Sequence, residues 1–378
     1  MENAVNLYAK VNQEHLKNQA FKVTVPSTIP GDGLFKVLER LPVVWELHGS
    51  GFSRFILEIK EGLGAELIHA NILEPRNAYL LANQARRLGI GLVLTIHSPV
   101  YLCPISYGVM LPEMSPCTMP SLKRHCMKCM VSLQKLEGES SLPSVRSNME
   151  LPYWSFGFGR LMREGEVISP SKYFARQLRS KLGVRVHAIP NPLDEAMLQQ
   201  RPAHSGDGSV VFIGRLTYEK GIRYLPILAA GERDVEFHVI GTGRRRTVLE
   251  GTGLANLVLH GFVTEEEKSE LISRASVVIV PSVWCEQGPY TAAEAFCFGK
   301  PVVAFDLGGQ KELVEESGGG LLAKPFDIDD FAGKIRQILR DESGAQEMGR
   351  RGRKWVEDNL NPSLFARRLG EVYELAMA

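Results

Sequence analysis

Short apolar runs and longer segments with apolar residues at helical spacing follow one another along most of this chain. Residues 43–47, 66–70 and 91–96 read as strands, and 52–61 and 75–88 between them carry helical periodicity. The order repeats with a strand at 166–169, a helix at 171–182 and a strand at 186–189, where Pro190, Asn191 and Pro192 stop it. A polar stretch with Pro202, Gly206 and Gly208 follows and reads as a connection between domains. Beyond it, strands are predicted at 209–213, 235–240, 257–262, 277–280 and 301–305, with a helix after Gly221 and another over 290–298. The alternation continues through 313–322, and helices close the chain at 327–339, 342–359 and 363–377. Such alternation predicts parallel sheets covered by helices, hence an α/β protein of two doubly wound, Rossmann-like domains. Residues 1–192 are the first domain in this reading, 193–360 the second, and 361–378 a terminal helix.

The amino terminus departs from the pattern. Ala4, Val5, Leu7, Tyr8, Val11 and Leu16 give an amphipathic helix and 21–25 a strand, where a doubly wound domain would open on a buried strand. Residues 145–162 read as a helix broken at Leu151 and Pro152, with an aromatic band of Tyr153, Trp154, Phe156 and Phe158.

Composition adds limits. The chain has 378 residues, 44% hydrophobic and 23% charged, which is enough for two cores. Lys and Arg number 44 against 43 Asp and Glu, so the formal charge of +1 gives no global reason to expect a nucleic-acid partner. No run of eighteen uncharged apolar residues occurs, and the first residues lack the apolar core of a signal peptide, so a cytoplasmic location is expected.

Candidate chemistry concentrates in residues 276–309. There a buried strand breaks at Pro281, Ser282 and Gly288, a helix follows, and a second apolar run ends at Gly308 and Gly309. Glu286 lies on the loop and Glu294 inside the helix, both near the carboxyl end of one strand, where ligands bind in open α/β sheets. An ionised carboxylate there can accept from both hydroxyls of a vicinal diol, as in ribose or a hexose. Two ordinary surface glutamates would give the same spacing. The second domain opens with strand, Gly214, Arg215, then Lys220 and Gly221 before a helix, an arrangement that turns backbone N–H groups toward an anion. Arg215 can fork onto two phosphate oxygens and Lys220 can add a point charge. Gly241 and Gly243 end the next strand.

Pro281-Ser282, Trp284, Glu286, Glu294-Ala295, Gly299-x-Pro301-Val302, Gly308-Gly309 and Glu312, with the Gly214-Arg215-x4-Lys220-Gly221 segment, resemble the signature of retaining glycosyltransferases of family 4. The resemblance covers nearly the whole chain. It implies the GT-B fold, two Rossmann-like domains facing a cleft, with the terminal helix crossing back to the first domain. It also implies a nucleoside-diphosphate sugar as donor, no catalytic metal, and transfer of a hexosyl group to a glycan, lipid-linked or small-molecule acceptor. Carried over by position, Arg215 and Lys220 meet the diphosphate, Glu286 the donor sugar and Glu294 the ribose. Gly214, Gly241, Gly243, Gly288, Pro289 and Tyr290 line the donor site, and the backbone of Phe262 and Val263 addresses the base. Thr95-x-His97 resembles the position that faces the donor sugar, with His69 the structural runner-up. Pro289 stands where many members carry Gly, which removes one backbone amide. Relatives also open on a strand and a glycine loop before a segment like Met1-Glu2-Asn3-Ala4-Val5, so Met1 is expected to be an internal start that leaves out the first strand; a genuine start in a lineage that rebuilt this edge is the alternative.

Cys103, Cys117, Cys126 and Cys129 fall in an irregular insertion, 103–129, with Pro104, Pro112, Pro116 and Pro120. Four thiolates suit a closed structural zinc site in a reducing compartment; unliganded or partly paired thiols are the alternative. Lys123, Arg124, His125 and Lys128 make the segment locally basic, which suits contact with a phosphate-bearing or lipid-linked acceptor at the inner membrane surface, or a solvated charge run. Besides a transferase, the same motifs suit a sugar-nucleotide epimerase or hydrolase, or a non-catalytic nucleotide-sugar-binding module.

Overall fold

The computed structural model describes residues 57, 60, 61, 66–72, 75–103, 108–110, 115–117, 126, 128–132, 157–163, 165–203 and 205–378. The elements expected at 4–16, 21–25 and 43–47, most of 52–61, and 145–156 with its aromatic residues lie outside these. In chain order, β1 (Leu67–Ile72), α1 (Pro75–Leu88) and β2 (Gly91–Ile96) come first. Two-residue strands β3 (Val109–Met110) and β4 (Ser115–Pro116) pair antiparallel, and β5 (Glu166–Ser169), α2 (Lys172–Leu182) and β6 (Val186–Ala188) follow. The chain divides into two units. The first holds residues up to 104, 143–192 and 362–378; the second holds 105–142 and 193–361. Most of the cysteine-bearing insertion, read from the sequence as part of the first domain, therefore groups with the second unit.

In the first unit the described strands form a parallel sheet in the order β1-β2-β5-β6. α1 buries Ala78, Leu81, Ala82 and Ala85, the three-and-four spacing of one helical face. α2 is capped by Ser171, whose side chain accepts from the Phe174 amide, and ends on Gly183 in the left-handed region. The last helix of the chain, Pro362–Met377, packs Phe365, Leu369, Val372 and Tyr373 against Val93, Ile168 and Ile189.

The second unit runs α3 (Glu195–Leu198), β7 (Val210–Ile213), α4 (Leu225–Gly231), β8 (Phe237–Ile240), α5 (Arg246–Glu250) and β9 (Leu257–Gly261). It continues with α6 (Glu265–Arg274), β10 (Val277–Val280), α7 (Tyr290–Cys297), β11 (Val302–Phe305), α8 (Gly308–Ser317), β12 (Gly320–Ala323), α9 (Ile328–Arg340) and α10 (Glu342–Asn359). Its six strands are parallel in the order β12-β11-β10-β7-β8-β9. Every residue of β10 is buried, as a central strand covered on both faces requires. Because the chain moves outward from β7 on one side and from β10 on the other, the loops leaving these neighbours part at their carboxyl ends. That is the topological switch point of a doubly wound sheet.

Some elements differ from the expectations. The helix expected after Gly221 starts as 3₁₀ turns at Tyr218–Lys220 and Ile222–Tyr224, because Gly221 has φ of 72° and Pro226 has no N–H for an earlier carbonyl. The polar connection contains α3, capped by Asp194. α6 was not anticipated, although Thr264 and Glu267 form a full capping box at its start. Among the described residues no helix is long and apolar enough to cross a membrane.

α10 lies close against α7 through two glycines. A Cβ on Gly352 would sit 2.5 Å from Phe296 Cδ1, and one on Gly349 only 1.8 Å from the Gly299 carbonyl oxygen. Alanine raises intrinsic helix propensity, but a rigid carbonyl at that distance cannot yield without moving backbone, so the clash wins. Gly349→Ala is therefore expected to destabilise the protein by about 1–3 kcal/mol, measured by urea unfolding.

Candidate functional site

The loops leaving β7 and β10 touch along their backbones. Val283 N–H donates to Glu219 O at 2.9 Å, and a Cβ on Gly221 would meet the Pro281 carbonyl oxygen at 1.8 Å. Gly221 therefore answers both a left-handed turn and a contact that admits no side chain. This contact places Lys220 beside Glu286: the ammonium donates to Oε1 at 2.6 Å, and the Ser282 hydroxyl donates to the same oxygen at 2.8 Å. The ammonium also lies 5.4 Å from the centroid of the Trp284 ring. Glu286 is buried. Burial pushes its pKa up, but the charge and hydrogen bond of Lys220, then the Ser282 hydroxyl, outweigh it and hold the carboxyl below its ordinary value.

The first turn of α8 supports this loop from below. Gly309 N–H donates to Glu286 O at 2.6 Å, and a Cβ on Gly309 would crowd that oxygen and the Gly288 nitrogen. The fully buried Gln310 amide donates to Ser282 O at 3.2 Å and Phe305 O at 3.0 Å, pinning the loop to β11. The Gly241–Gly243 turn after β8 packs on the β7 loop, with Gly241 at φ of 136° and a Cβ there 2.0 Å from Gly214 O. Leu216 N–H donates to Thr242 O at 2.8 Å. Gly214, Lys220, Gly241, Gly243, Glu286 and Gly288 are thus held in one patch.

Arg215 shares the loop, but its guanidinium is exposed and pairs with Glu219 at 3.0 Å. Pro289 is the N-cap of α7, its carbonyl accepting from Ala292 at 3.1 Å. Among the described residues the Tyr290 hydroxyl is buried without a hydrogen-bond partner, and burial followed by the Glu294 charge pushes its pKa up. One turn on, Glu294 is paired with Lys268 of α6 at 3.1 Å. Burial pushes the Glu294 carboxyl up, and Lys268 only partly opposes the rise. At the end of β9 Phe262 is 90% exposed, whereas Val263 packs on the core.

His97 belongs to the first unit, at the end of β2, where its Nε2 and Asn71 Oδ1 are 2.9 Å apart. Burial lowers its pKa to about 4. His69 bridges Tyr373 Oη and Thr95 Oγ1, each at 2.7 Å, and burial with the neighbouring His97 lowers its pKa to about 3. Both imidazoles are neutral at physiological pH. Cys103, Cys126 and Cys129 are buried and Cys117 partly so, Cys103 in the first unit and the others in the second. Among the described residues no group of three or more His, Cys, Asp or Glu side chains is arranged to hold a metal ion.

Ser282, Gln310 and Lys268 were not singled out from sequence as partners. Gln310 and Lys268 read as ordinary helical polar residues, and only the Thr264-x-x-Glu267 box marked the helix carrying Lys268.

Removal of Lys220 tests the pair. With Glu286 depressed, its ionisation stabilises the fold above the ordinary carboxylate pKa of 4.5, and that stability is lost as pH falls through the folded value. Lys220→Met removes the main opposition to burial, so the carboxyl rises and stability falls as pH rises instead. Urea unfolding at about pH 5 and about pH 7.5 should show this inversion, with a loss of about 3–5 kcal/mol at the higher pH.

Residues 194–355 match the profile of the family described as glycosyl transferases group 1. The chain is 28% identical over 224 residues to 2-deoxystreptamine glucosyltransferase of Streptomyces kanamyceticus, covering 53% of this chain and 58% of that protein. It spans about half the length of the curated relatives it matches. The fold resembles sucrose-phosphate synthase from Thermosynechococcus elongatus, with a TM-score of 0.65 and 21% identity over 86% of this chain and 77% of that one. It also resembles HepE from Anabaena, solved in complex with UDP, with a TM-score of 0.63 and 17% identity over 85% of this chain and 80% of that one. The doubly wound sheet with a buried carboxylate and lysine at its switch point lies in the segment that matches glycosyl transferases group 1, residues 194–355, and the chain shares the GT-B fold of these structural neighbours.

Proposed function

We propose that this protein transfers a hexosyl group from a nucleoside-diphosphate sugar to an acceptor hydroxyl with retention of anomeric configuration. The observation that carries the reading is the buried, ionised Glu286 beside Lys220 at the ends of β10 and β7. The hydrogen bonds from Lys220 and Ser282 both fall on Oε1, and Oε2 is assigned to accept from donor-sugar hydroxyls. Breaking the anomeric C–O bond moves negative charge onto the diphosphate, and Lys220 with Arg215 meets that charge more strongly in the transition state than in the ground state. These side-chain cations do the work a divalent ion does in other transferases. His97, by its position after Thr95, is assigned to the donor sugar. Its neutral imidazole suits a hydroxyl better than an anion. The leaving phosphate takes the acceptor proton as the acceptor attacks from the same face, so no protein nucleophile is required.

Among relatives and neighbours, a glucosyltransferase and a protein solved with UDP-glucose support a UDP-hexose donor. An acceptor of glycan or small-molecule type suits the same comparisons.

The test is turnover of UDP-glucose and GDP-mannose with a panel of sugar and aminocyclitol acceptors, read by nucleotide release and by NMR of the product's anomeric centre. Glu286→Gln should lower turnover by about 10²–10³ while donor affinity stays near wild type. Unchanged turnover in that variant would sink the reading. Free sugar released at the same rate without acceptor would make the protein a hydrolase.

A further inference from the structure

The position of Lys268 has no place in the reading so far. Its side chain is only 13% exposed, and its ammonium bridges Glu294 at 3.1 Å and Glu265 at 2.7 Å. The two carboxylates differ: Glu265 is 75% exposed and Glu294 only 18%. An exposed glutamate needs no partner, whereas a buried one left alone protonates. The contact to Glu294 is therefore the one with a consequence. It uses Oε1 and leaves Oε2 outside the pair.

The helix carrying Lys268 starts immediately after Val263. Thr264 caps it with the reciprocal Glu267 bond, and Lys268 N–H donates to Thr264 O at 3.0 Å. One turn of helix thus ties the Phe262–Val263 segment to the Glu294 side chain. On the other side, the buried Tyr290 hydroxyl, a turn before Glu294, has no partner among the described residues. The groups that bear on the Glu294 carboxyl are Lys268 and Glu265 from α6, and Tyr290 and Cys297 from its own helix. Lys268 is the one cation among them.

We propose that Lys268 is the positioning residue of the nucleotide site: it holds Glu294 ionised and fixed through one oxygen, so that the other accepts from the ribose diol. The proposal rests on the assignment of Glu294 to the ribose made above. Without Lys268, burial and Glu265 both favour the neutral carboxylic acid, which accepts less well. Ribose recognition would then fail at low pH and return as Glu294 ionises at higher pH. In the intact protein the lysine opposes the rise and moves this dependence to lower pH.

Two readouts test it. The first is carboxyl ¹³C NMR titration of Glu294 in the ligand-free protein, where Lys268→Met should raise the midpoint by more than about one unit and Lys268→Arg should restore it. The second is the ratio of affinities for UDP over 2′-deoxy-UDP, with GDP and 2′-deoxy-GDP measured alongside. Wild type should prefer the ribonucleotide about tenfold or more at both about pH 6 and about pH 8.5. Lys268→Met should lose that preference at the lower pH and recover it at the higher, and Glu294→Gln should lack it at both. An unchanged Glu294 midpoint overturns the proposal, as does a Lys268→Met loss that is equal for both sugars and both pH values, the mark of a structural role. If wild type and Glu294→Gln bind ribo and deoxy forms alike, the ribose assignment has failed and the proposal with it. If only Glu294→Gln loses the preference, the assignment stands and the role of Lys268 does not.

Discussion

The second unit depends on a contact that leaves no room for a side chain, the Gly221 backbone against the Pro281 carbonyl. Two loops pressed together at the ends of neighbouring strands must place whatever follows them side by side, and here that is Lys220 and Glu286. Removing a carboxylate and an ammonium from water is costly, and a pair of apolar residues would serve stability as well or better. The pair is understood through what it can do to a ligand. Its carboxylate is charged without being exposed, and its ammonium is the group proposed to meet a leaving diphosphate. Ser282 holds the carboxylate directly, Gly309 binds the Glu286 backbone carbonyl and Gln310 pins the loop at Ser282, so the geometry is set before any ligand arrives.

Much of this was legible in the residues. The all-apolar run at β10 could only be a strand covered on both faces, and the breaks at Pro281, Ser282 and Gly288 placed Glu286 on a loop and Glu294 on a helix. The Gly214-to-Gly221 segment was read as an anion-facing loop, and the structure puts its lysine in the patch. What could not be read was pairing across the chain. Nothing in the spacing of 220 and 286 states that they meet; that follows from β10 being neighbour to β7, a property of strand order. Lys268 was missed for a similar reason. Its helix is polar for its first six residues, and only Ile272 is fully buried, so apolar periodicity was too faint to mark it. The grouping of residues 105–142 with the second unit was also out of reach, since it depends on contacts such as the Cys285 thiol donating to Gly108 O at 3.4 Å.

The two glutamates of the signature share a residue type but not an electrostatic setting. Glu286 is depressed by a lysine from its neighbouring loop and a serine hydroxyl. Glu294 is raised by burial that its own lysine only partly offsets. One group stays a fixed charge over a wide pH range, while the other lies nearer its titration point.

The packing of the terminal helix onto β1, β2 and β5 has a temporal side. Phe365, Leu369 and Val372 leave the ribosome after residues 193–361 of the second unit, yet they cover Val93 and Ile168, which emerge far earlier. During synthesis these strands stay uncovered by that helix while residues 193–361, the larger part of the second unit, are made and can close on themselves. The order of assembly is thereby reversed relative to the order of the sequence: the later unit can finish first, and the earlier one gains this cover only when residues 362–377 return to it.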